Sequence, residues 1–158
     1  MNQIVGIADM KVSNSRDDVL VTYSLGSCVG LSLYDPVTCI GGIIHCMLPL
    51  SKIDAAKAQE NPMMFTDTGV TTFLQAVFNL GAERSRLVAK VAGCSSVLDD
   101  KGLFKIGERN YTVLKKIMWK NNILIAAEDI GGNASRTLTL FMNTGRTTIR
   151  SGGSEREL

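Results

Sequence analysis

The chain has 158 residues and a single histidine, so any general acid–base step that uses imidazole falls to His45. A metal centre built on two histidines of one chain is excluded. His45 lies in the apolar run Gly41 to Leu48, where a polar ring needs a hydrogen-bond partner; a satisfied core histidine would look the same. Cys28 directly follows the small-residue turn Gly26-Ser27. A nucleophile placed there can stand beside free backbone amides able to hold the oxyanion of a tetrahedral intermediate, which makes Gly26 and Ser27 the substrate-side residues. A cysteine that merely fills core volume fits the pattern too. A free thiol titrates at about 8.5, so Cys28 and His45 make chemical sense together, as an ion pair that supplies thiolate at neutral pH. Thr22 stands six residues before Cys28 and its hydroxyl could orient the ring, although threonine is also an ordinary strand former.

The other cysteines have weaker settings. Cys46 neighbours His45, but successive strand residues point to opposite faces. Cys39 has no setting comparable to that of Cys28, and Cys94, after Gly93, is the one rival nucleophile. No two of the four cysteines have the two-residue gap of a zinc knuckle or redox motif. The expectation is free thiols in a reducing cytoplasm and no metal.

These side chains must be held by a scaffold, and the pattern supplies one. Val19 to Tyr23, Cys28 to Tyr34 and Cys39 to Leu48 are apolar, β-branched runs divided by turn signals, the second being Asp35-Pro36-Val37-Thr38. Their continuous apolar character predicts strands covered on both faces. Ser51 to Asn61 reads as an exposed loop with at most a helical turn. Thr66 or Asp67 can cap a helix that buries Val70, Phe73, Leu74, Val77 and Phe78 and stops at Gly81. Arg86 to Ala92 predicts a strand. A second helix opens at Ile106-Gly107, buries Val113, Leu114, Ile117 and Met118, and closes at Asn121-Asn122. Strands follow at Ile123 to Ala127 and Thr137 to Met142, with a hairpin turn at Asn143 to Arg146 leading into Thr147 to Arg150. The stretch between Ser96 and Ile106 receives no element. The sum is one α+β domain over residues 1–150, a layered α/β/β sandwich with a mixed, mainly antiparallel sheet core and two main helices. A flexible tail is expected over 151–158.

The formal net charge of +2 is too small to imply a nucleic-acid or anionic-lipid partner. The apolar stretch Cys39 to Leu50 falls short of the roughly 20 residues a membrane span requires. Residues 1–10 show no secretion signal, so a soluble, cytoplasmic protein is expected.

The ordered set Thr22-Tyr23-Ser24-Leu25-Gly26-Ser27-Cys28-Val29, then Asp35-Pro36, then His45 with Met47-Leu48-Pro49, resembles the CheD family of chemoreceptor glutamine deamidases. The resemblance continues through Asp67-Thr68, Ala92-Gly93, Ile106-Gly107-Glu108-Arg109-Asn110, Glu128-Asp129, Gly131-Gly132-Asn133, Arg136 and Thr144-Gly145. It departs at Ala92-Gly93-Cys94, where the family often has paired glycines before a small residue, and at Ala8-Asp9, where glycine-glutamate is usual. The resemblance implies a fold similar to that of glutamine-deamidating bacterial toxins, with Cys28 as nucleophile, His45 as base and Thr22 in support. It further implies chemotaxis receptors as protein substrate, a CheC-type phosphatase as partner, methylesterase activity in some members, and no metal or organic cofactor. Two other readings stay open: an adaptor that docks without turnover, and another kind of small cysteine hydrolase.

Overall fold

The computed structural model describes residues 1–96 and 105–158. Among these, the strands are β1 (Asn2–Ile4), β2 (Asp9–Ser13), β3 (Val19–Leu25), β4 (Val29–Asp35), β5 (Ile40–Cys46), β6 (Val88–Gly93), β7 (Ile125–Ile130), β8 (Arg136–Phe141), β9 (Thr147–Ser151) and β10 (Ser154–Glu157). The helices are α1 (Ala55–Glu60), α2 (Thr66–Leu80) and α3 (Ile106–Lys120). The stretch between Ser96 and Ile106 includes residues 97–104, which lie outside the described residues.

The strands form two mixed five-stranded sheets, one ordered β1-β3-β8-β9-β10 and the other β2-β5-β4-β6-β7. Among the described strands only the β1–β3 and β6–β7 pairs are parallel. The second sheet is the middle layer. Alternation along β4 sends Val29, Leu31 and Leu33 towards α2 and α3, where they meet Val70, Phe73, Leu74, Val77, Leu114 and Met118. On its other face Tyr34 and Ile43 pack with Leu20, Leu25, Leu138, Leu140 and Ile149 of the outer sheet. This double burial explains why β4 and β5 are inaccessible at every residue, and each large aliphatic side chain so buried contributes about 1.5–3 kcal/mol. The order is helices, middle sheet, outer sheet, the expected α+β sandwich.

Three differences from the sequence reading have clear causes. β1 and β2 are short, and their polar residues show no apolar alternation; pairing supplies what pattern does not, β1 on β3 and β2 on β5. The expected cap of α2 is corrected: Phe65 precedes the helix without a side-chain cap, Asp67 accepts hydrogen bonds from Ser51 N and Oγ at 2.9 and 2.8 Å, and the Thr66 hydroxyl is engaged elsewhere. Residues 151–158, read from the sequence as a tail, lie along the outer sheet. A two-residue Gly152-Gly153 turn joins β9 to β10, Leu158 N donates to Thr147 O at 2.9 Å, and the Leu158 side chain packs against the core between the sheets.

Candidate active site

Thr22 and His45 meet at one end of the sandwich and Cys28 stands at the same end, each delivered by a different device. Thr22 is an inward-facing residue of β3, fully buried like Leu20 two positions earlier. His45 faces the outer sheet from β5, on the same side as Ile43. Cys28 lies one residue ahead of β4, not within the expected strand. The register pairs Gly30 with His45, so Cys28, two positions along and packed against the core between the sheets, occupies the cross-strand diagonal to His45. Such diagonals have backbone separations of about 7–8 Å, which two side chains can bridge.

The turn that carries Cys28 is shaped from both sides. β3 loses register with β8 between Thr22 and Leu25, and Ser24 takes a positive φ of 59°; such a bulge re-aims the chain. The three carbonyls of the turn are each held from outside: Gly26 O accepts from Ser95 N at 2.9 Å and Cys28 O from Cys94 N at 2.8 Å, while Ser27 O accepts from Asn110 Nδ2 at 2.9 Å. Gly93 permits this approach, because a side chain there would collide with the Cys28 carbonyl and its φ of +101° disfavours other residues. The amides of Ser27 and Cys28 donate to no other residue among the described residues.

His45 is fully buried, and its hydrogen bonds define its tautomer. The Thr22 hydroxyl lies 2.9 Å from Val5 O and 2.7 Å from His45 Nδ1. A carbonyl oxygen can only accept, so the single hydroxyl proton goes to Val5, and Thr22 Oγ1 must accept from Nδ1–H. The lone pair is therefore on Nε2, which has no hydrogen-bond partner among the described residues. Ala8 N donates to His45 O at 2.9 Å, so the crossover from β1 to β2 braces both residues.

Burial sets the protonation states. It pushes His45 down to about 4 and pushes the half-buried Cys28 thiol up, an effect partly offset by the residue's own amide. At neutral pH the pair rests as thiol and neutral imidazole, not as the ion pair expected from the sequence. Cys94 is buried, with its thiol pushed up to about 12 by desolvation, and Cys46 faces the helices, away from the ring beside it.

Sequence reasoning gave no individual role to several residues that build this end. Asn110 and Thr66 are fully buried polar side chains. The backbone of α3 reaches Cys94 and Ser95 because residue 107 is glycine, where any Cβ would strike Ser95 O. Arg136 donates to Gly131 O at 2.9 Å and Gly93 O at 3.3 Å, securing the loop that follows β7 from Gly131 beside the Cys28 turn. Apolar periodicity passes over such residues; the signal for Gly107, Asn110 and Arg136 is their place in the family motifs, and Thr66 carried only the reading of a helix cap. A groove of about 510 Å³, lined by Tyr111, Trp119 and Leu124 among others, lies between α3 and β7 and includes none of the three candidate residues.

Comparison with known proteins finds relatives over nearly the whole chain. Residues 47–151 match the family model described as CheD chemotactic sensory transduction; that span begins just after His45. Relatives cover the remainder. A protein of Solibacter usitatus, named probable chemoreceptor glutamine deamidase CheD, is 49% identical over 155 residues, covering 98% of this chain and 92% of its own. A Syntrophus aciditrophicus protein named probable chemoreceptor glutamine deamidase CheD 1 is 47% identical over 156 residues, with 98% of each chain covered. A Pyrococcus horikoshii protein of the former name is 41% identical over 150 residues, covering 92% and 90%. The chain belongs to the CheD family. No helix among the described residues is long and apolar enough to cross a membrane.

Proposed function

We propose that this protein deamidates glutamine side chains of chemotaxis receptors to glutamate, with Cys28 as nucleophile, His45 as general base and acid, and Thr22 as the residue that orients the ring. The names of the relatives support the substrate. The observation that carries the chemistry is the Nδ1–H tautomer: Thr22 occupies one ring nitrogen at 2.7 Å and leaves Nε2, the nitrogen a base needs, without a partner among the described residues.

The steps follow from the resting state of thiol and neutral imidazole. As the sulfur attacks the side-chain amide carbon, its proton passes to Nε2, so charge forms only as the bond does. The carbonyl oxygen becomes an oxyanion within reach of the Ser27 and Cys28 amides, with Gly26 and Ser27 forming the substrate side of the turn. The C–N bond breaks as Nε2–H protonates the departing nitrogen, releasing ammonia and leaving a thioester on Cys28. Water then attacks while Nε2 takes its proton, and the sulfur leaves and recovers the proton, freeing glutamate. No step calls for a metal or organic cofactor. A CheC-type phosphatase as regulatory partner and action in the cytoplasm complete the proposal.

The test is mass spectrometry of a receptor cytoplasmic fragment after incubation, where each conversion adds about one dalton and releases one ammonia. Wild-type protein should convert specific glutamines and Cys28→Ala none. Turnover by Cys28→Ala would remove the cysteine from its role; no turnover by wild type, with Cys28→Ala signalling normally in cells, would establish the adaptor reading.

A further inference from the structure

We propose that Asn110 is a positioning residue that aims the Cys28 amide at the oxyanion. The side chain is fully buried and every polar group on it is used. Nδ2 donates to Ser27 O at 2.9 Å and to Met47 O at 3.1 Å, and Oδ1 accepts from Thr66 Oγ1 at 3.0 Å. Because both carbonyls can only accept, the amide has one permissible orientation and the Thr66 hydroxyl must be its donor.

The consequence lies in the planarity of the peptide. In a trans peptide the C=O of one residue and the N–H of the next point in opposite directions. Fixing Ser27 O therefore fixes the direction of Cys28 N–H, just as Ser95 N on Gly26 O fixes that of Ser27 N–H. Cys28 lies outside the β4 ladder, so strand pairing does not set this plane, and the Asn110 side chain does. The second bond, to Met47 O, ties the same amide to the chain two residues beyond His45. Asn110 thus references the oxyanion donor to the strand that carries the base, acting through other groups and touching no reacting atom.

This inference builds on the assignment of Cys28 as nucleophile, and its test does not need the receptor. Acylation of Cys28 by p-nitrophenyl acetate passes through an oxyanion; alkylation by iodoacetamide is a direct displacement at carbon and forms none. The ratio of the two rates reads oxyanion support alone. In Asn110→Ala the ratio should fall roughly 10- to 100-fold, less than the roughly 100- to 1,000-fold for outright loss of one oxyanion donor because the amide is misaligned and not removed, with alkylation within about twofold of wild type. Thr66→Val, which keeps the volume but removes the donor to Asn110, should lower the ratio about threefold or more, while Thr66→Ser, which keeps the hydroxyl, should stay within about twofold. A packing role would reverse the order of the Thr66 variants, and that pair decides the matter should Asn110→Ala fail to fold. An unchanged ratio in folded variants, or acylation and alkylation falling together, would overturn the proposal. Failure of wild type to act on receptor fragments while the ratios behave as stated would reject only the substrate.

Discussion

Thr22 and His45 belong to different sheets, and the 2.7 Å hydrogen bond between them spans the sandwich at the end where the Cys28 turn lies. Replacing Thr22 by valine leaves Nδ1–H and Val5 O without their partner and releases the ring to turn over. Turnover should fall about 100-fold or more, as for other histidine bases that lose their orienting group, and each unpaired buried group should cost about 1–3 kcal/mol of stability. Thr22→Ser should keep both bonds and stay within a few-fold of wild type. Equal turnover in the two variants would remove the hydroxyl from the mechanism.

The low proton affinity of His45 has a signature in pH. The base works only when neutral, so the acid limb of kcat/KM for the free enzyme should lie near pH 4, not near the usual imidazole value of 6.5. Stability carries the same mark. Between pH 6.5 and about 4 the unfolded chain holds the imidazole proton and the folded chain does not, so the contribution is fully present above 6.5 and is lost as pH falls towards 4. Urea unfolding of wild type and His45→Gln should differ by a pH-dependent amount that changes by on the order of 3 kcal/mol over this window. A difference that stays flat would contradict the buried neutral ring.

Of the four cysteines only Cys28 is partly exposed. Iodoacetamide on the native protein should label Cys28 first and abolish turnover in step with labelling. Cys94→Ala should retain near-wild-type kcat, since the Cys94 thiol is pushed up to about 12 and is not available as thiolate. Peptide mapping that finds Cys94 labelled first would restore it as a rival.

Asp35, fully buried at the end of β4, accepts from Arg86 Nε at 2.9 Å and from the amides of Val37 and Glu83 at 2.9 Å each. The Arg86 side chain, with those amides, outweighs desolvation and holds the carboxyl well below the usual carboxylate range. Asp35→Ala leaves the Val37 and Glu83 amides without their acceptor, while the part-exposed Arg86 can turn to water and Glu83, and should lower stability by about 1–3 kcal/mol, measured by urea unfolding, with kcat of the folded protein unchanged. A loss of kcat at full stability would show the pair acting on the site.

The legible parts of this molecule are those where burial and period coincide. β4 and β5 are apolar at nearly every position because both faces are covered, and α2 repeats its apolar residues at helical spacing up to Gly81. Cys28 and His45 stood out because a lone histidine and a cysteine after a glycine turn are chemically conspicuous, whereas Thr22, an ordinary strand former by type, was marked only by its place in the family pattern. Much else was hidden for physical reasons. Asn2–Ile4 and Asp9–Ser13 are strands because partners lie beside them, a fact no local pattern encodes. Gly107 and Asn110 belong to the buried face of α3 with Leu114 and Met118, yet glycine and asparagine do not register as apolar. The protonation state of the dyad depends on desolvation, which spacing along a chain cannot express.

Val5 gives its carbonyl to Thr22 from a segment that contributes no side chain to the chemistry. That carbonyl decides where the Thr22 proton goes, and so which ring nitrogen is left bare. A chain lacking residues 1–5 would free the hydroxyl to donate towards Nδ1, moving the ring proton to the nitrogen that should receive the thiol's. The few amino acids ahead of the first turn thus set which nitrogen of the ring carries its proton, and because Val5 is also buried in the core between the sheets, an affinity tag that displaces them should lower the melting temperature as well as the activity.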